Sequence, residues 1–396
     1  MSSIAEVGRM ERELSRVDRL SEDIHFPPEL LLEILLWLPS KTLLKFRSVC
    51  RIWCSFIDSS NFISLHLNCY NYDYSQKSID HLIAIQRIVD VGCFFTIRSS
   101  DRLNTVADLA ELAEPYSISG NCNGLILLNY GWNAVRLWNP SIRKSLFLPD
   151  CPIKLRWSRI RRCHVTYTLG FSRSSNDYKV LAVKTNLPSY SDDKAYIAVY
   201  SLADHLWRVK PNPVSVSKWA ISWLSPEGGL VCCGGVVYWV DNDLHRKPGA
   251  YMKLYLYDFD VEEFSVMQLP DAVKESTHRL IFAHGDSLAV LLMSSESICI
   301  WVLKKDGGEN PWRLWFKGEP HLNASKLFEC ANVVYCKNSN TFLLNNNLAT
   351  MSYDIANNQI RILKEKDMMN FRISFQTYVE SLVLHKGFGE TITLFL

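Results

Sequence analysis

Residues 135–149 read VRLWNPSIRKSLFLP, and the same shape returns as IAVYSLADHLWRV (197–209), LYLYDFDVEEFSVMQLP (254–270), ICIWVLKKDGGENPWRLWF (298–316) and MSYDIANNQIRIL (351–363). Each segment is an alternating apolar run with an aromatic, a polar turn, and a second apolar or aromatic run. Alternation at period two is the mark of a half-buried strand. The marker aromatics are Trp138, Tyr200, Tyr257, Trp301 and Tyr353, at intervals of 44 to 62 residues. A further apolar strand precedes each unit: NGLILL, YKVLAV, GGVVYWV, SLAVLL and NTFLLN.

Three or four short antiparallel strands repeated at this period read as the blades of a β-propeller. The aromatics are expected to fill the gaps between blades. Asn139-Pro140-Ser141 reads as a turn start, and Asp306-Gly307-Gly308 and Asn357-Asn358 as turns needing positive backbone angles. Two strand-like stretches remain, 79–98 and 371–386, at opposite ends of the repeat region. Paired, they would make a closing blade and protect the sheet edges. The expectation is about six blades over residues 79–396.

The 396 residues leave room for a small second domain, at about 150 residues per domain. Apolar residues are 48%, enough for a large core. Lys+Arg 43 against Asp+Glu 41 gives a net charge of +2, which offers no broad attraction to nucleic acid or anionic membrane. No apolar run approaches the length of a membrane span, and MSSIAEVGRMERELSRV lacks the apolar stretch of a signal peptide. The 12 Cys show no CxxC and no zinc spacing, so they read as free thiols of a reducing compartment, cytoplasmic and/or nuclear.

Before the repeats the texture is different. Residues 1–23 alternate charges without an apolar face and read as a flexible charged leader. Then Leu30, Leu31, Ile34, Leu35 and Leu38 fall at helical spacing. Pro27-Pro28 opens this helix and Pro39 ends it. Ser40 is expected to cap a second helix carrying Leu43, Leu44, Phe46 and Val49. A third carries Ile52, Trp53, Phe56 and Ile57, and Ser60 caps a final turn with Phe62 and Leu65. Three short helices cannot hide apolar residues on more than one face. The surplus must cover either the large domain or a partner.

The stretch Phe26-Pro27-Pro28-Glu29-Leu30, Ile34-Leu35, Leu38-Pro39, Leu43, Phe46 and Val49-Cys50-Arg51-Ile52-Trp53 resembles an F-box, placed at residues 24–70. Gly120-Asn121-Cys122-Asn123-Gly124-Leu125, Leu137 to Arg143, Leu169-Gly170-Phe171 with Asp177 to Val180, Val199 to Leu202 with Trp207-Arg208, Gly235 to Trp239 and Tyr378 to Leu382 resemble the F-box-associated domain of plant F-box proteins. S-locus F-box proteins share this architecture. The resemblance implies a multidomain α + all-β chain: a three-helix F-box followed by a kelch-like propeller. It implies docking on a Skp-type adaptor, and through it on a cullin and a RING subunit. A target protein held by the propeller would be ubiquitinated and degraded; an interaction role without degradation is the alternative. Pro27, Leu30, Leu31, Ile34, Leu35, Leu38, Leu43, Phe46, Val49, Cys50 and Trp53 are the expected adaptor contacts.

Catalytic motifs do not appear: there is no GxSxG, P-loop or HExxH. No metal or cofactor is expected, and no enzymatic activity. Gly228 to Gly235 reads as a tight blade entry, because no helix follows it. The histidines stand singly. One charged cluster stands out: Lys154, Arg156, Arg159, Arg161 and Arg162 around Trp157, with no acid among them. It reads either as a solvated loop face or as a docking loop for an acidic target surface. The polar connection 186–195 is the second candidate loop.

Overall fold

Successive strand side chains point to opposite faces of a sheet, and in the computed structural model those faces meet in a closed ring of six antiparallel sheets. The structure describes residues 27–77, 81–88, 92–112, 116–130, 134–153, 162–187, 194–210, 214–215, 230–240, 253–272, 278–294, 297–305, 310–318, 332–346, 349–365, 371–383 and 390–391. The expected leader at 1–23, the Asp306-Gly307-Gly308 turn and the 154–161 part of the basic cluster lie outside them.

The first blade runs outward from Ser117–Cys122 through Leu125–Tyr130 and Ala134–Asn139 to Lys144–Phe147. The second to fifth blades begin on inner strands Arg162–Ser172, Leu230–Cys233, His278–His284 and Asn332–Cys336. The sixth closes the ring as expected: Phe371–Thr377 forms its inner strand and pairs with His81–Ile88, Ile83 lying opposite Gln376. Gly92–Ser99 and Thr105–Leu112 complete it from the other end of the chain. A second clasp was not anticipated. Glu390–Thr391 pairs with Lys144 and Ser145 as an outermost fifth strand of the first blade.

Packing explains the repeat. Six apolar clusters join each blade to its neighbour. Trp138 sits between the sixth and first blades, Tyr200 between the first and second and Tyr257 between the second and third. Trp301 packs at the third–fourth junction and Tyr353 at the fourth–fifth. All but Trp301 are fully buried, so these rings supply much of the apolar area that holds blade to blade. Inter-blade contact is close enough to exclude a side chain at Gly170, where an added Cβ would lie 2.0 Å from the buried Phe259 ring.

Inner hairpins turn tightly. Asn123 and Gly124 both take positive φ, 52° and 78°, and Gly234 and Gly235 take 62° and 84°. Two such residues in succession make the twist-matched hairpin turn. Asn358 also has positive φ, 52°, as its turn required.

Among the described residues four helices precede the ring: α1 (Pro28–Leu36), α2 (Ser40–Phe46), α3 (Arg51–Ile57) and α4 (Ser60–Lys77). The last is not a single turn but 18 residues long. Two expected caps move. Pro39, not Ser40, holds the position before α2, and its carbonyl accepts from Thr42 N and Leu43 N at 2.8 and 3.1 Å. Proline already fixes the extended entry angle there, and Ser40 is buried as the first helical residue. Before α4 the cap is Ser59, whose Oγ accepts from Phe62 N at 3.2 Å. Cys50 caps α3, its Sγ accepting from Trp53 N at 3.4 Å.

Candidate functional site: the helical unit and the two ends of the ring

Helix α1 is apolar on two faces, and the structure separates them. Leu32, Leu35 and Leu36 turn inward with Leu43, Phe56, Ile57 and Phe62, in one continuous core with Leu125, Leu137 and Tyr167 of the propeller. Leu30, Ile34 and Trp37, at i, i+4 and i+7, turn outward and stay 48%, 46% and 52% exposed. Val49, between α2 and α3, is 62% exposed. The surplus apolar surface foreseen in the sequence therefore divides: part seats the helices on the ring and part remains open.

This sorts the expected adaptor contacts. Pro27, Leu30, Ile34 and Val49 lie on the surface. Leu31, Leu38, Phe46, Cys50 and Trp53 are half-buried, with the Phe46 and Trp53 rings 5.5 Å apart. Leu35 and Leu43 are at 0% exposure and have no surface to offer. They pack inside the helical unit, in the core it shares with the ring. Trp37 was not among the expected contacts. Its i+7 spacing from Leu30 was the available signal.

Polar contacts hold the helices in register. Arg47 donates two bonds to Asp58, Nε to Oδ1 at 2.6 Å and Nη2 to Oδ2 at 2.8 Å. His66 is fully buried, and its Nε2 lies 2.8 Å from the Leu38 carbonyl; the N–H must be on Nε2 to donate there. Burial pushes the imidazole below its usual 6.5, with the Leu38 bond and the Glu380 charge pulling the other way. The folded chain thus keeps His66 neutral while the unfolded chain protonates near 6.5. Stability from this group is present above that pH and is lost as pH falls below it. His284 is lowered in the same sense. His66→Gln, which keeps a donor for Leu38, is expected to flatten part of the loss of melting temperature on acidification below pH 6.5. Thermal melts across that range check it.

The two ends of the ring are chemically different. One end carries the inner hairpin turns and the helices. A cavity of about 1020 Å³ lies there, lined by Asp58, Ser64 and Asn68 from the helical unit and by Asn123, Arg173, Gly235 and Asp286 from the turns. A second, about 690 Å³, lies between Pro39 and Lys41 and the Tyr378–Glu380 segment. Cys122, Cys232 and Cys233 line the larger one. Burial drives the Cys233 thiol up to about 12 and holds the other two well above their usual range. They stay protonated at neutral pH and are poor nucleophiles. Among the described residues no cluster of three metal-binding side chains occurs, and no helix is long and apolar enough to cross a membrane.

At the opposite end the outer strand of one blade stops and the inner strand of the next begins, because each four-stranded sheet returns the chain to the end where its inner strand began. The strands on either side of the basic cluster are Lys144–Phe147, the outer strand of the first blade, and Arg162–Ser172, the inner strand of the second. The side chains of the cluster lie outside the described residues. Trp207 Nε1 donates to the Pro149 carbonyl at 2.8 Å and fixes where that connection starts.

The F-box associated β-propeller domain family matches residues 82–385, from the first strand of the closing blade to the segment beyond its last. The chain belongs to that family. The F-box domain family matches residues 24–65, covering α1 to α3 and the start of α4. This F-box propeller protein is 25% identical to the F-box protein CPR1 of Arabidopsis thaliana, over 90% of this chain and 88% of that one. It is 26% identical to an F-box/kelch-repeat protein of the same plant, over 73% and 78%. Among solved structures, the β-propeller domain of Cps50 (Swd1) aligns with a TM-score of 0.36 at 12% identity, covering 74% of this chain and 89% of that one.

Proposed function

We propose that the chain is the substrate receptor of an SCF-type ubiquitin ligase. The observation that carries this reading is an F-box with an open apolar stripe, Leu30, Ile34 and Trp37, seated on one end of a closed propeller. A Skp-type adaptor covers the stripe and Val49, and brings the cullin and RING subunit. A target protein binds the propeller, is ubiquitinated, and is degraded. The chain breaks and makes no bond itself. It acts by holding a target lysine near a charged conjugating enzyme, which raises the effective concentration of the reacting groups.

The target end is the one with the inter-blade connections. The helices cover turns at the other end, and loops on a rigid scaffold carry recognition. The basic connection with Lys154, Arg156, Trp157, Arg159, Arg161 and Arg162 is the first candidate, suited to an acidic surface through Arg and Trp.

The test is co-purification. The full chain should capture a Skp-type adaptor and cullin from plant extract. A chain lacking residues 24–65 should capture neither, yet should retain a target that accumulates when it is expressed. Failure of the full chain to capture an adaptor overturns the reading.

A further inference from the structure

Between the last inner strand and the outermost clasp, the chain crosses the F-box end of the ring as a strap, Tyr378–Val383. Its upper side is bonded to the first blade by two residues of one turn. Asn139, fully buried, donates from Nδ2 to the Ser381 carbonyl at 3.1 Å, to Ser381 Oγ at 3.2 Å and to the Val383 carbonyl at 2.7 Å. Its Oδ1 accepts from Ser141 N at 2.9 Å, which locks the amide orientation. Ser141 Oγ then accepts from Ser381 N at 3.0 Å and lies 2.9 Å from the Tyr378 hydroxyl. Gly124 makes room beneath: a Cβ there would sit 2.5 Å from the Val379 carbonyl, at a φ of 78°.

The strap's other side belongs to the helical unit. Leu382 and Val383 lie in the same continuous core as Leu35, Leu43 and Phe62. Pro39 and Lys41 face Tyr378 to Glu380 across the smaller cavity. The charge of Glu380 reaches the buried His66.

We propose that this strap is the seat of the F-box and that Asn139 is its latch, a positioning residue that fixes the helical unit relative to the propeller. Residues separated by 242 positions, Asn139 and Ser381, are thereby made into one joint. The joint sits between the adaptor-binding and target-binding ends and transmits a fixed angle between them. The assignment of those two ends to adaptor and target rests on the proposed ligase role; the joint itself does not.

Asn139→Asp tests the latch. It keeps the Oδ1 acceptor for Ser141 but removes both donors and sets a carboxylate against two carbonyls. Hydrogen exchange on the full chain is the readout. We expect exchange in 378–383 and in α1 to α3 to rise about tenfold or more, the factor carried by one buried hydrogen bond left unmade. The inner strands of the third to fifth blades should keep their protection. Tyr378→Phe, which removes one hydroxyl only, should show the same pattern more weakly and serves if the first variant does not fold. Faster exchange spread evenly over the ring, or helices unaffected by a loosened strap in both variants, would overturn the proposal. Adaptor capture by the variants should match that of the wild type. If the wild type captures no adaptor, the ligase reading falls, and the exchange pattern still decides the latch.

Discussion

Deletion of residues 371–396 is expected to leave the chain insoluble, or melting far below the full protein. The segment removes the inner strand of the sixth blade, the strap and the outer clasp together. Ile373, Phe375, Leu382 and Val383 are all buried. Burying one such side chain contributes about 1.5–3 kcal/mol. Four of them approach the about 5–15 kcal/mol by which a whole domain is stable. The loss also uncovers Leu82 and Ala84, now fully buried against the fifth and sixth blades, and leaves the edge of His81–Ile88 open to pairing with other chains. Among the described residues, deletion of 384–396 alone removes the two-residue clasp on Lys144 and Ser145 and should cost little. Solubility on expression and thermal melts separate the cases. If the longer deletion melts like the full chain, the ring does not depend on its C-terminal strand.

The ring was legible because its stabilisation repeats. A blade must present an apolar ring or branched chain to each neighbour, so Trp138, Tyr200, Tyr257 and Tyr353 recur on third strands and appear as a period. Closure was legible because two strand-like stretches were left over at opposite ends. The strap was not. Its residues were visible as a motif, but the bonds to Asn139 and Ser141 span some 240 positions and leave no local pattern. Asn139 reads as a turn former from sequence, and it is one; its amide has a second use that only the folded chain brings into reach. Helix α4 was underestimated because its second half, NCYNYDYSQK, has no apolar stripe to announce it. The two faces of α1 were both legible as apolar. Which of them the ring would cover was not, since helical spacing gives Leu31 and Leu35 the same claim as Leu30 and Ile34.

That division sets the sharpest test of the adaptor surface. Leu30→Asp with Ile34→Asp places two charges on a face of α1 that already meets solvent. The helix should persist, because neither residue is among the buried residues of the core cluster. Adaptor capture should fall at least about 100-fold, since each centre-of-interface residue carries about 2 kcal/mol or more and a charge left there is unpaired. Leu35→Ala is the contrast. Leu35 is fully buried, and emptying its site costs about 2–5 kcal/mol. It should weaken capture only by unfolding the helical unit, with a matching loss of helical circular dichroism. Trp53→Ala falls between, because Trp53 is half-buried against Phe46; it should lower both the melting temperature and capture. The order matters more than any single value. Normal capture by the double aspartate variant would move the adaptor off this stripe. Capture lost in Leu35→Ala with the helices intact would show that the buried face opens when the adaptor binds.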